Sequence, residues 1–211
     1  AGKTTTIVNM GIIYTSSPIF IILISLLFFK EQFTIIKFTG LILCLVGVIV
    51  IITKADLNLL LGLKFTQGDI WMLGAAIGWG LYSIYLFNWK SYLSVFERFT
   101  IISFCGAISL LPFYLIEELY FQKTKFDEYF LIWTSFAAIS PGIIAFSLYT
   151  YAQKYLGATT TGFTLYLFTV YGAFYGIVLF DEKLEPYHYV STLLVFLGIY
   201  LVKKKIKYEK N

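Results

Sequence analysis

The apolar residues of this chain come in blocks about as long as a bilayer-crossing helix. Block length limits the fold more than any other feature. About 30 Å of hydrocarbon takes roughly 20 residues of helix. Only 13% of the residues are charged, 59% are apolar, and the mean hydropathy is +0.80. A soluble domain carries roughly one-quarter charged residues, so a soluble fold could not cover its surface with this few. A membrane barrel would show short alternating strands instead. The chain is therefore read as an all-α integral membrane protein, a bundle of about seven transmembrane helices.

The spans are expected at about Thr5–Phe29 (with Pro18 inside, a kink), Ile36–Thr53, Asp69–Phe87, Arg98–Ile116, Tyr129–Tyr151 (broken by Pro141-Gly142), Ala158–Phe180 and Tyr187–Val202. The loop Lys54–Gly68 is partly apolar at Leu59-Leu60-Leu61, which suits an interfacial position, and Asp69 suits the N-terminal, dipole-positive end of the third span. Ala1-Gly2-Lys3 offers no initiator Met and no signal peptide, so the chain is expected to begin part-way through a longer protein. Cys44 and Cys105 fall inside apolar spans and are expected to be small buried hydrophobes, with no disulfide framework and no C-x-x-C metal site.

One unit occurs twice. Ala158 to Lys205 runs apolar, then Asp181-Glu182, then apolar again through Gly198 to a lysine run. A shift of 151 residues superposes Phe29 on Phe180, Glu31 on Glu182, Leu43 on Leu194, Gly47 on Gly198 and Lys54 on Lys205, without gaps. Matched patterns of this kind are how membrane transporters are commonly built.

The formal net charge of +4 does not imply nucleic acid, because five of the sixteen cations crowd the last nine residues beside a helix end. With seven spans, ten cations fall on one side; six cations and nine of the twelve acids fall on the other. Lys/Arg-rich loops stay cytoplasmic, which places the C-terminus inside and the N-terminal stub outside. Glu31 and Glu182 then lie on opposite sides, as an inverted repeat requires.

Thr5, Pro18, Glu31 thirteen residues on, Gly40 and Gly47 together resemble the end of an EamA-type repeat of the drug/metabolite transporter superfamily. Gly68-Asp69 with Trp79 resembles the opening of a second repeat. Tyr155-Leu156-Gly157-Ala158, Phe180-Asp181-Glu182 and Gly198 resemble its last two helices. The resemblance implies ten helices in two five-helix repeats with cytoplasmic termini. Residues 1–54 would then end repeat one, 55–68 would link, 69–203 would form repeat two, and 204–211 would be a basic cytoplasmic tail. Three helices would precede Ala1. It also implies a cavity lined by the first four helices of each repeat, with the second and seventh spans of this chain peripheral. Thr169 stands where the second repeat usually has Pro, so a kink there is left open.

Transport needs a polar-lined path near the midplane and helices that move against each other. Trp79, Tyr82 and Ser83 share one face of the third span. Phe146 and Tyr149, and Thr164 and Tyr171, sit at comparable depth, and Asn9 needs an internal partner. These are the candidate pathway residues; interfacial or lipid-facing packing is the alternative for the aromatics. Gly74 with Gly78, Ala76 with Gly80, and Gly172 with Gly176 are spaced for close helix approach, as sliding contacts or plain packing. Glu31 and Glu182 read as turn residues at helix ends, with gating as the other role. His188, the single histidine, reads as interfacial.

No Lys, Arg, Asp, Glu or His falls mid-span, where a charge costs at least about 2.5–3.5 kcal/mol and is kept for function. A sugar-phosphate or nucleotide-sugar carrier of the same superfamily would need a cation against its phosphate. A neutral or zwitterionic metabolite such as an amino acid is favoured, with export as the expected direction through an inner-membrane permease. No cofactor or metal is expected. The expected partners are a small metabolite and the lipid bilayer, not nucleic acid, and a homodimer is left open. A membrane-embedded lipid- or prenyl-modifying enzyme would need paired acids or a His/Asp or Ser/His set. The lone histidine argues against that, as do the acids Glu117-Glu118 and Asp127-Glu128, which are assigned to a solvated loop. A non-transporting assembly subunit is the third reading.

Overall fold

The computed structural model describes residues 4–29, 34–89, 91–121 and 123–204. The expected turn at Glu31 lies outside these residues. Two compact units emerge, one from the described parts of 1–88 with 156–211, the other from 89–155.

In the first unit, α1 (Ile7–Tyr14) and α2 (Ser17–Phe29) make up the first expected span, followed by α3 (Ile35–Ile52), a short α4 (Leu57–Leu61) and α5 (Gln67–Asn88). Asp56 caps α4, accepting from the Asn58 N–H at 2.8 Å, and Leu57 and Leu61 are exposed, so the apolar linker is a surface helix. The chain returns as α9 (Ala158–Phe163), a 3₁₀ turn at Thr164–Tyr166, α10 (Leu167–Phe180) and α11 (Pro186–Lys204). In the second unit, α6 (Val95–Tyr120) starts with a capping box: Glu97 accepts from the Ser94 N–H at 2.7 Å while Ser94 Oγ accepts from Glu97 N–H at 3.3 Å. Pro112 does not interrupt α6, and Glu117 and Glu118 belong to its last turns rather than to a loop. α7 (Glu128–Ala137) and α8 (Phe146–Leu156) are joined by a π-helical stretch, Ala138–Ala145, which absorbs Pro141-Gly142 without ending the helix. Cys105 is exposed on its unit, contrary to the buried position expected; Cys44 is buried.

Among the described residues, six helices are long and apolar enough to cross a membrane, α1–α2, α7–α8 and α9–α10 each counting as one. The chain is a multi-pass membrane protein. The seventh expected span is α11, richer in Tyr, Ser and Thr; it is not one of the six but runs antiparallel along α3, which is.

The 151-residue shift reappears in the architecture. It carries α1–α3 onto residues 158–203, where α9, α10 and α11 lie. It also relates the contacts between α3 and α11. A Cβ on Gly40 would meet Gly198 O at 2.7 Å; exchanging each residue for its shifted counterpart pairs Ser191 with Gly47, and these two also meet, a Cβ on Gly47 lying 2.9 Å from Ser191 O. Cys44 Sγ reaches Val195 O at 3.6 Å, and these two residues are counterparts of each other. The crossing is therefore an antiparallel pair about a local two-fold axis, the arrangement of inverted repeats. Around it packs a core of Ile22, Leu41, Cys44, Val48, Phe163, Tyr166, Val195 and Val202.

Both copies of the long span break at the same level. In the first the break is at Thr15-Ser16, with Pro18 in the opening turn of α2, where a missing N–H costs nothing. In the second, Thr169 replaces Pro18 and the break persists as the 3₁₀ turn. Hydroxyls turned back on carbonyls accompany both. Thr15, Ser16 and Ser17 donate to Ile12, Ile13 and Tyr14 at 2.8, 2.6 and 2.6 Å; Thr161, Thr164 and Thr169 donate to Gly157, Thr161 and Tyr166 at 2.8, 2.6 and 2.8 Å. In a membrane, such bonds keep a broken helix's polar groups satisfied.

Candidate functional site

A polar cluster ties α1 to α5. Asp69, the third residue of α5, is fully buried and receives only donors. Asn9 Nδ2 donates to Oδ2 at 2.9 Å, the Thr66 N–H at 2.6 Å and the Thr66 hydroxyl at 3.0 Å, while the Thr5 hydroxyl donates to Oδ1. Asn9 Nδ2 also reaches Lys64 O at 3.0 Å. The internal partner that Asn9 was expected to need is thus Asp69. Both residues head their helices, so their side chains lie near a membrane face; Asn9 Oδ1 is buried without a hydrogen-bond partner.

Trp79, Tyr82 and Ser83 do share one side of α5. The Trp79 and Tyr82 rings are 5.7 Å apart, and Ser83 is fully buried. Trp79 packs on the cluster Ile21, Ile24, Ile84 and Ala158. Thr164 lies in the 3₁₀ break and Tyr171 is exposed on α10. Phe146 and Tyr149 are half-buried in the second unit, Phe146 against Phe99 with ring centres 5.9 Å apart. There too, Glu118 accepts from the Thr124 hydroxyl at 2.7 Å and the Thr124 N–H at 2.9 Å, tying its acidic end to the following loop.

The glycines need correcting. Nothing lies within 4 Å of a Cβ placed on Gly74, Gly78 or Gly172, so none of them brings helices together in its unit. Gly176 makes room instead for the Glu182 carboxyl, with Oε2 at 2.8 Å from such a Cβ. Close approach occurs at Gly80, where a Cβ would lie 2.9 Å from Phe20 Cβ of α2, beside buried Ala76, and at Gly40, Gly47, Gly162 and Gly198. Four-residue spacing finds small residues on one face; it does not say what that face meets.

A cavity of about 580 Å³ opens in the first unit between α1, the end of α3, α10 and the start of α11. Its wall is mainly apolar, from Val8, Met10, Met72 and Phe168, with the Tyr14 ring tilted against Phe168, ring centres 5.6 Å apart. Thr15 and Thr169 line it at the level of the breaks, and Lys54, Glu182 and His188 line it near the helix ends. The ends of α3 and α11, expected to be peripheral, therefore contribute to its wall. His188 is buried at the start of α11: its Nδ1 accepts the Glu185 N–H at 3.0 Å, and its ring stacks on Tyr187 with centres 4.2 Å apart. It also borders a second cavity of about 470 Å³ between α10 and α11. Sequence reasoning missed this role. The one available signal was a histidine three residues after Glu185, where a side chain can reach back to cap a helix. No group of three or more His, Cys, Asp or Glu side chains comes together among the described residues.

Comparison with known proteins bears on this arrangement. An uncharacterized transporter from Methanothermobacter thermautotrophicus is 22% identical over 210 residues, 94% of this chain and 57% of the relative. The chain thus spans little more than half of that protein. A solved crystal structure superposes with a TM-score of 0.72 at 17% identity, covering 98% of this chain and 70% of the other, which supports the fold. The profile of the EamA-like transporter family matches residues 1–53 and 66–203, so the two matched segments together take in the inverted pair α3 and α11 and both broken spans. The chain belongs to the EamA-like transporter family.

Proposed function

We propose that this chain is part of a permease that moves small neutral or zwitterionic metabolites, amino acids among them, out across the inner membrane by alternating access. The observation that carries the reading is the self-counterpart crossing of α3 and α11 with a break at the same level in each copy. Two-fold-related halves with discontinuous helices can exchange conformations about a fixed site. Asp69, the fully buried acid, is engaged by donors from α1 and the α5 cap, which suits a structural anchor better than a phosphate or metal site. The lysine-rich C-terminus belongs on the cytoplasmic side.

The test is counterflow in proteoliposomes holding the complete protein, preceding helices included. Vesicles preloaded with L-leucine should accumulate external labelled L-leucine, whereas glucose 6-phosphate should give no signal. Accumulation of the sugar phosphate but not the amino acid would point to the organophosphate carriers. Lipid turnover with no solute movement would point to an enzyme.

A further inference from the structure

His188 has one ring nitrogen committed and one to spare. Nδ1 lies 3.0 Å from the Glu185 amide nitrogen, which donates to it, and 3.2 Å from the Glu185 carbonyl oxygen; with Nδ1 as acceptor, the neutral imidazole carries its proton on Nε2. The cap holds the ring at the cavity wall, only 6% exposed, leaving Nε2–H as a donor on its far edge. Two opposite charges line the same cavity. Lys54 follows α3 in a left-handed conformation, with φ 53°, and Glu182 follows Asp181, which ends α10 the same way. Gly176 lets the Glu182 side chain fold back along α10. The rest of the wall is mainly apolar, with Thr15 and Thr169 donating their hydroxyls back to their own helices, and the volume, about 580 Å³, is in the range that holds small organic ligands.

The geometry points to this cavity as a recognition site for a zwitterionic solute with an apolar body: its carboxylate is taken by His188 Nε2–H and Lys54, and its ammonium by Glu182. Opposite charges at one end and hydrocarbon elsewhere match an α-amino acid with an aliphatic or aromatic side chain. A solute lacking either charge would leave one of the partners unmatched. The proposal rests on the transport reading above and adds the residues that select the substrate.

Binding of three probes to the purified complete protein tests it: L-leucine, 4-methylpentanoate, which lacks the ammonium, and 3-methylbutylamine, which lacks the carboxylate. Wild type should bind L-leucine at least about tenfold tighter than either half-analogue. His188→Asn keeps an acceptor oxygen for the Glu185 N–H but removes the Nε2–H donor. It should weaken L-leucine about tenfold, leave 3-methylbutylamine unchanged and leave the melting temperature unchanged. Glu182→Gln should weaken L-leucine similarly and leave 4-methylpentanoate unchanged. Wild-type affinity for L-leucine in both variants overturns the site but not the transport reading, since the solute would bind elsewhere. Equal loss of all three probes also overturns it, because the residues would then be shaping the fold. If wild type neither binds nor moves L-leucine, L-alanine or L-phenylalanine, the transport reading fails and this site with it.

Discussion

The chain contains the same helical unit twice, and the copies differ more at the helix break than at the crossing of α3 and α11. At the break, Pro18 opens α2 in the first copy while Thr169 occupies that position in the second, yet both spans are interrupted. At the crossing, Gly47 and Gly198 are identical counterparts, and Gly40 is matched by the small Ser191. A helix break can be supplied by several residue types, because any nearby hydroxyl can satisfy a freed carbonyl. A backbone-to-backbone crossing tolerates only small residues. The copies diverge freely in the first setting and are held in the second.

The largest expected effect therefore lies at the crossing. A Cβ on Gly198 would fall 2.5 Å from Cys44 Sγ and 2.6 Å from Gly40 O, and neither backbone can yield without moving its helix. Gly198→Ala should cost about 3 kcal/mol, the upper end for overpacking, read as a lowered unfolding midpoint in detergent. Its counterpart Gly47→Ala should cost somewhat less, since its nearest atom, Ser191 O, is 2.9 Å away. If Gly47→Ala were harmless, the crossing would not be a two-fold contact and the comparison of the copies would break.

Next comes a feature of the first copy alone. Asn9 joins Asp69 to Lys64 O, whereas its counterpart in the second copy is Thr160, buried on α9. Asn9→Ala would leave part of a buried carboxyl without its donor, at about 1–3 kcal/mol. Thr160→Ala should cost well under half as much in the same assay. Equal losses would mean that the two copies are anchored alike.

Pro18→Ala is expected to be milder still. Pro18 lies in the first turn of α2, where its ring breaks no helical hydrogen bond. Replacement should cost about 0.4–1 kcal/mol, chiefly by freeing the unfolded chain. Adding Ser16→Ala, which removes the 2.6 Å bond to Ile13 O, should cost more than Pro18→Ala does. A large loss from Pro18→Ala alone would show that the first copy does depend on its proline.

Much of this could be read from the residues, and the exceptions have physical causes. The apolar blocks and the 151-residue shift marked the spans and which of them are counterparts, because both depend on periodic, additive signals; the crossing of α3 with α11 was not marked, since both were expected to be peripheral. Glu117-Glu118 looked like loop because charge density suggests solvent, yet they close α6. The break at Thr164–Tyr166 stayed open because its cause, hydroxyls bonding back to carbonyls, leaves no spacing rule as plain as a proline. The capping contact of His188 was missed for a different reason. A lone histidine near a helix start can face water or cap the helix, and only the position of the Glu185 N–H decides between them.

The smallest effect is expected where spacing misled. Gly172 on α10 has nothing within 4 Å of a Cβ, and neither does Gly78 on α5. Alanine at either should change stability by no more than about 0.5 kcal/mol, with a slight gain where the added methyl favours helix. Gly176→Ala makes the informative partner to Gly172→Ala, one helical turn away. Its Cβ would push on Glu182 Oε2, the end of a side chain that can swing aside, so stability should again hold. The displaced carboxyl would no longer lie along α10, however, and L-leucine should bind more weakly to Gly176→Ala than to Gly172→Ala. Matching stabilities with different affinities would separate a glycine that accommodates a functional side chain from one that faces open space. A clear loss of stability in Gly172→Ala would instead show that in the complete protein this face is covered, and that the four-residue spacing had marked a helix contact after all.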